Sequence, residues 1–598
     1  MQSPIMASFG RFGPLLGVVS VANNICKFLV YSSRNAEVLT FHELKLKQYF
    51  PNPGWIEYDP IDIWKCTQQC IETACKNLLI LEINPQDIVA LGVCTQRGTT
   101  VLWDKVTGIP LHNAIGWADN RTSTTLKSIL DIVKGKINYL KSVCGLPLST
   151  CFSSLKIKWL MQNLPAVNQS IEDKRCLFGT LDSWIIWNLS GGVTSGSHVT
   201  DVTNANYTML MNVHTLKWEP KLCEFFQIPI EILPEIRSNS ETYGFVVDGA
   251  LHGLPIASCM GDQPAALLGQ LCTKVGQCVC TIEDSCFVLL NTGQEVIDSN
   301  NGLLSSVAFK LGPKENTFYA LEGAVSNAGS TVSWLQDQLR INTEINQNGN
   351  VAEVLSNFLG DNSMISSSSS TMLNGLNENG NTAKRSEIIF VPAFNGLYAP
   401  YWRYDARGII LGLNSHTTAE NITQAAYEST GFQVHEILES FRKDTPTWDR
   451  APKLIVGGEF SENNHFMQFM ADIIGNGLER PQTTSSSCLG TMIAAGITMK
   501  IISIENAQKM FTPPYDVFHP TTAPNRRELL YCRWDYAVKK CLNWNNFETY
   551  ETDMELFRQR ERDPNLPIRR SIPGSIFLTT SFILLIVARF LKNTSIHN

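Results

Sequence analysis

Gly261-Asp262-Gln263 and, roughly twenty residues on, Thr281-Ile282-Glu283-Asp284-Ser285-Cys286-Phe287 are the stretches on which the reading of the fold turns. The second lies between two strand-like runs, Cys278-Val279-Cys280 and residues 288–291, so its two acids fall in a connecting turn. Working outward, the carboxyl side continues with a strand at 317–321, a helical pattern at 324–338, and strands at 388–391 and 454–456. The amino side shows strand-like runs at 15–21 and 28–31, a helical pattern at 61–79 and a strand at 88–93. The same alternation of strand and helix in both halves predicts an α/β fold. Taken alone, Gly261-Asp262-Gln263 is as compatible with a plain turn as with a site.

At 598 residues the chain is too long for one core, and two large domains are expected. An apolar content of 44% with 17% charged residues is ordinary globular composition. A net charge of −7 argues against nucleic acid as a partner, which calls for a basic face. The 17 cysteines are scattered, odd in number and lack paired CxxC spacing. They read as small core residues of a reduced intracellular protein, and no metal site is expected of them. Residues 14–22 are apolar enough for a leader core but lack a basic start and run into more strand-like sequence, which predicts a first β-hairpin.

Three segments stand apart. Residues 344–385 are polar, with a serine run at 366–370 and an Asn/Gly-rich stretch at 374–381. Such a segment buries too little apolar surface to order itself, so a disordered insertion is expected. Residues 546–570 are highly charged and read as a linker. The run 571–588 holds 18 uncharged residues with Arg569 and Arg570 before it and Arg589 and Lys592 after it. That is about the minimum for a membrane span, and a transmembrane tail anchor at 571–591 is predicted, with a buried terminal helix as the alternative.

Further landmarks are Gly54-Trp55-Ile56-Glu57-Tyr58-Asp59-Pro60, Thr180-Leu181-Asp182-Ser183-Trp184, Thr200-Asp201-Val202-Thr203-Asn204-Ala205, and Gly396-Leu397-Tyr398-Ala399-Pro400-Tyr401-Trp402 with Ala406-Arg407-Gly408. Each is weak singly; their joint order and spacing are specific. With them the chain resembles the glycerol kinases of the FGGY carbohydrate kinase family over residues 14–545. The resemblance implies two actin-like (ribonuclease-H-like) domains around a deep cleft, 14–270 on the polyol side and 271–545 on the nucleotide side. It implies transfer of the ATP γ-phosphate to glycerol, giving glycerol 3-phosphate, with ATP and magnesium used if the chain is active and neither otherwise. Some animal members carry a similar tail, so a cytosolic body held at a membrane, the mitochondrial outer membrane first, is expected. Glycerol or a related polyol is the expected ligand, and a second copy or an active paralogue the expected kind of protein partner.

Phosphoryl transfer needs a base for the attacking hydroxyl, donors and metal for the phosphate charge, and alignment. By the resemblance, Asp262 is the catalytic base and Gln263 helps hold the substrate. The family's Gln-Arg-Glu-Thr-Thr stands here as Gln96-Arg97-Gly98-Thr99-Thr100, so Arg97 is kept and the acceptor carboxylate becomes Gly98. Trp117 and Phe287 keep the substrate wall, while the family's tyrosine is Cys151. Loss of two such hydrogen bonds, one of them charged, should weaken polyol binding by roughly 2–4 kcal/mol.

The phosphate side departs further. The family's first loop stands as Ser20-Val21-Ala22-Asn23-Asn24-Ile25, with Ser20 for the metal-directing carboxylate, and Lys27 stands for an arginine. The family's Gly-Thr-Gly turn after Thr281 is Glu283-Asp284-Ser285. A carboxylate about 4 Å from a phosphate charge costs roughly 4 kcal/mol at an effective dielectric near 20. Late in the chain Val456-Gly457-Gly458-Glu459 stands for Val-Asp-Gly-Gly, leaving Thr281, Gly458 and Asn463 as the nucleotide-side residues. Gly396 and Arg407 belong to scaffold segments. Because the departures gather in ligand-facing segments, the first expectation is a foldable pseudokinase or scaffold with weak or lost transfer. An active kinase for glycerol or another small polyol is the alternative, and a membrane-bound metabolite sensor the third reading.

Overall fold

Leu15–Ala22 is apolar on both faces and almost wholly buried, as the central strand of a sheet covered on two sides must be. It pairs antiparallel with Ile25–Ser32, and that strand with Val38–Lys45. On its other edge it runs parallel to Ile88–Thr95, which in turn runs parallel to Pro255–Gly261. The expected first hairpin is therefore present, turning at Asn24 with a φ of 61°. The computed structural model describes residues 10–22, 24–341, 388–446, 453–482 and 485–544. The insertion expected at 344–385, the linker at 546–570 and the anchor at 571–591 lie outside the described residues. Among those described, no helix is long and apolar enough to cross a membrane.

A second sheet repeats the order of the first. Gln277–Ile282 pairs antiparallel with Cys286–Gly293, and that strand with Thr317–Val325. Lys453–Gly457 and Leu478–Pro481 follow in parallel on the other side. Both sheets thus carry a three-stranded antiparallel meander and two further parallel strands, in the order 3-2-1-4-5. This duplication is the two-domain, actin-like architecture expected from the resemblance. Extra strands, Ser240–Phe245 in the first sheet and Leu304–Lys310 and Tyr515–Phe518 in the second, extend the edges.

Pro60–Ile80 forms the expected helix. The Asp59 side chain caps it by accepting from the Ile61 N–H, Pro60 occupies its first turn, and Ile63, Thr67, Cys70, Ile71, Ala74 and Leu78 make its buried stripe. The pattern at 324–338 resolves differently. Ala324 and Val325 extend the strand, paired with Phe287 and Cys286, and the helix starts only at Gly329 and runs to Asp337. Ladder pairing in the sheet overrides the local helical pattern. All seventeen cysteines are free thiols, and all but Cys66 and Cys532 are buried.

One contact between the two halves of the sequence fixes the site. Ser486–Thr498 packs across Asp262–Gly269 with the backbones almost touching. A Cβ on Gly269 would meet the Ser486 carbonyl oxygen at 1.9 Å, and one on Gly490 would meet that of Ala265 at 1.9 Å. The Ser258 hydroxyl, in the strand leading to Asp262, donates to the Thr491 carbonyl at 2.9 Å.

Candidate active site

In both sheets the chain leaves corresponding strand ends toward one cleft. Gln96 and Arg97 follow Ile88–Thr95, Asp262 and Gln263 follow Pro255–Gly261, and Glu283 and Ser285 sit in the hairpin between Gln277–Ile282 and Cys286–Gly293. With Trp117, Tyr207, Thr281 and Phe287 they line a pocket of about 410 Å³, counting its open mouth. Strand carboxyl ends are where α/β sheets bind ligands.

Asp262 is the first residue of its helix, and its approach is built by the scaffold. Gly261 N–H donates to the Thr203 hydroxyl at 2.8 Å, and Thr203 is itself tied to Asp201. The Asp262 carboxylate accepts from the Gln263 backbone N–H at 2.9 Å and its side-chain amide at 3.3 Å. Burial raises its pKa, against the pull of nearby Arg97. A carboxyl held in this way is the right type for a general base.

Arg97 has a partner that the sequence reading did not find. Its guanidinium donates to both oxygens of Glu322 at 2.6 and 3.0 Å, a buried fork-to-fork pair reaching from the first sheet's side of the cleft to Thr317–Val325 in the second. Its Nε stands 3.8 Å from an Asp262 oxygen. Gly261 is required here, because a Cβ would lie 2.6 Å from the Arg97 chain. Trp117 and Phe287 form the apolar wall with ring centroids 5.5 Å apart. Gly98 has a φ of +74°, and a Cβ there would meet the Cys151 carbonyl oxygen at 2.9 Å and the Tyr207 ring at 3.2 Å. Beneath it the buried Lys156 ammonium donates to the carbonyls of Cys151 at 2.8 Å, Gly98 at 2.9 Å and Trp117 at 3.2 Å. Burial pushes that lysine down to about 8.

The acidic turn spends its own backbone. Glu283 N–H donates to the Ser285 carbonyl at 2.9 Å, and the Ser285 hydroxyl to the Ser326 carbonyl at 2.8 Å. The Glu283 carbonyl accepts from Gly329 at 2.9 Å, and that of Asp284 from Ala328 and Ser330 at 3.0 and 3.1 Å. The Glu283 carboxyl is pushed up to about 7 by burial, with Lys27 pulling the other way and Asp262, Asp284 and Glu459 adding to the rise. Asp284 and Glu459 are raised for the same first reason. Burial lowers Lys27, but Cys488, Glu283 and Glu43 together outweigh it and its pKa ends raised.

Of the residues singled out from sequence, Arg97, Trp117, Asp262, Gln263, Thr281, Glu283, Ser285 and Phe287 meet in the one pocket. Ser20 is buried opposite Lys27 in the strand pair. Gly458 lies against the hairpin, with a φ of +93° and space for a Cβ only 2.3 Å from the Ile282 carbonyl oxygen. The Asn463 side chain accepts from Phe466 N–H at 3.0 Å and so caps Asn464–Ile474. Gly98 and Cys151 stand behind Tyr207. Glu322 and Tyr207 were missed; Tyr207 follows the Thr200–Ala205 landmark by two positions, which was the one signal available.

The family's N-terminal domain, described as that of the FGGY family of carbohydrate kinases, matches residues 21–269, and its C-terminal domain matches residues 278–499. The chain belongs to the FGGY family of carbohydrate kinases. Within this family it is 37% identical to a glycerol kinase of Arabidopsis thaliana over 537 residues, covering 88% of this chain and 97% of that one. It is 36% identical to a glycerol kinase of Brucella anthropi over 532 residues, covering 88% and 99%. A crystal structure of Plasmodium falciparum glycerol kinase with ADP superposes with a TM-score of 0.72 at 31% identity, over 88% of this FGGY chain and 98% of that one.

Proposed function

We propose that the chain is an ATP-dependent kinase of glycerol or a similarly small polyol. The observation that carries this reading is the gap between Arg97 and Asp262. At 3.8 Å it is too long for a direct hydrogen bond. A substrate hydroxyl placed beside it can donate to Asp262 and accept from Arg97 Nε–H. Trp117 and Phe287 give the carbon chain an apolar wall, and Gln263 adds a polar group beside Asp262. Asp262 then takes the proton of the attacking hydroxyl, and its raised pKa makes it a better acceptor than a free carboxylate. Likeness to glycerol kinases along nearly their whole length supports the same reading.

The cleft's donor set suits magnesium, a hard cation that binds one or two carboxylates together with substrate phosphates. Glu283 is the turn carboxylate that lines the pocket, and magnesium arriving on the nucleotide's phosphates would supply the charge neutralisation that this acid otherwise denies a triphosphate.

A second reading, the same fold with transfer weak or lost, is favoured by one observation. Two of the turn's donors, the Glu283 N–H and the Ser285 hydroxyl, are already bonded within the protein. Glycerol-dependent ADP formation by the purified full chain separates the two. The active reading expects turnover that Asp262→Asn lowers by about 10²- to 10⁴-fold. A rate equal to background with glycerol and other small polyols, at saturating magnesium-ATP, would leave the second reading standing.

A further inference from the structure

Two polar atoms face the pocket without a protein partner. The Gln263 side-chain oxygen is buried and unpaired. The Tyr207 ring lines the same pocket, and its hydroxyl forms no hydrogen bond among the described residues. Buried polar groups are as a rule hydrogen-bonded, so polar atoms left open in a pocket mark places where a ligand's hydroxyls can pair. Tyr207 is also rigidly held. It follows the short helix Val202–Asn206, packs edge-on against Phe152 with centroids 5.0 Å apart, and lies under the Arg97 guanidinium at 4.2 Å. Its ring stands beside residue 98, where a Cβ would meet it at 3.2 Å, while the Cys151 carbonyl at 2.9 Å and a φ of +74° favour glycine there.

We propose that Tyr207 is the specificity-determining residue of the polyol pocket, its phenol taking over the contacts that the family pattern assigns to a carboxylate at 98 and a tyrosine at 151. The three positions are one rearrangement. Tyr207 fills the volume, Gly98 vacates it, and Cys151 leaves room behind, with the ring clamped between Phe152 and Arg97. What was a charged acceptor becomes a neutral hydroxyl that both donates and accepts. Burial and the nearby Glu322 carboxylate raise its pKa, so the phenol stays protonated across the working range. The pocket therefore selects a compact, uncharged polyol through a neutral hydrogen bond rather than a charge-assisted one. This inference rests on the polyol-kinase reading and refines its substrate contacts.

The test is direct binding, independent of turnover. Glycerol, 1,2-propanediol and 1,3-propanediol are titrated by calorimetry into the full chain and into Tyr207→Phe, which keeps the ring and both of its packing partners. The expected result is that Tyr207→Phe weakens glycerol about 5- to 10-fold, the effect of one neutral hydrogen bond. Its preference for glycerol over whichever diol lacks the contacted hydroxyl should shrink by the same factor. Equal glycerol affinity and unchanged selectivity in the two proteins would overturn the assignment of Tyr207 while leaving the polyol reading intact. Failure of the unaltered chain to bind any of the three at tens of millimolar would remove both. Should Tyr207→Phe melt well below the parent, Tyr207→His, which restores a donor and acceptor on a ring, must recover glycerol selectivity for the proposal to stand.

Discussion

On the proposed kinase reading, Glu283 is the residue whose charge state bears most on how the cleft would receive a nucleotide. Its pKa near 7 puts the change of charge inside the physiological range. The sign follows from that position: below pH 7 the carboxyl is protonated and neutral, and above it an anion faces the phosphate side. The KM for ATP should therefore rise between pH 6 and pH 8, and Glu283→Gln should flatten that rise and lower the KM at pH 8 by about tenfold, equivalent to about 1.4 kcal/mol of repulsion removed. A Glu283→Gln profile parallel to the parent's would show that the side chain does not meet the phosphates. The sequence made this turn legible because an acid in a phosphate-cradling position is conspicuous. The family resemblance also put Asp262, Gln263, Arg97, Trp117 and Phe287 in one site, each carried by a short local motif. The sequence could not yield Glu322, which reaches Arg97 across 225 positions of chain. Nor could it show that the ring at Tyr207 occupies the space facing Gly98, because both facts exist only once the halves are folded against each other.

Asp262–Gly269 owes its placement to a glycine-to-glycine crossing with Ser486–Thr498, so the carboxylate proposed as the base depends on an element more than two hundred residues away. The close approach leaves no space for a methyl group: on Gly490 it would have to displace the Ala265 backbone. Gly490→Ala should cost about 1–3 kcal/mol from overpacking, offset slightly by the better helix propensity of alanine. Because the strain is delivered to the helix that begins at Asp262, turnover at a temperature where the variant is still folded should fall more than glycerol affinity does. A variant as stable as the parent, with its kcat unchanged, would contradict the crossing. Elements with a plain signature, the continuous apolar run of Leu15–Ala22 and the apolar stripe of Pro60–Ile80, were readable from their residues alone. Glu57–Tyr58 and Ala114–Ile115 are two-residue strands with no period to detect. The start of Gly329–Asp337 was misplaced because Ala324 and Val325, helix-compatible by pattern, are claimed by the sheet.

At the scale of the whole molecule, buried carboxyls gather at the joints of the fold. Asp182, beside Asp201 and Cys259 under the strand that leads to Asp262, is raised from 3.8 to about 7, by burial first and then by Asp201. Glu436, on the long helix Ala419–Asp444, is raised from 4.5 to about 7 by burial, although Tyr401 and Trp534 donate to it. It ties the Gly396–Trp402 landmark to that helix and to Pro524–Cys541. Its second oxygen is buried without a partner. Folded-state pKa values raised above the unfolded ones mean that these groups contribute stability that is complete below about pH 4 and lost as pH rises through about 7. The melting temperature should therefore fall between pH 6 and pH 8. Glu436→Gln keeps an acceptor for Tyr401 and Trp534 and gives the second position a neutral group, so its melting temperature should exceed the parent's by about 2 °C at pH 8 and match it more closely at pH 5.5. Scanning fluorimetry across that range reads both. A parent that melts higher at pH 8 than at pH 6 would mean that these carboxyls are ionised in the folded protein and satisfied by contacts other than those that surround Glu436.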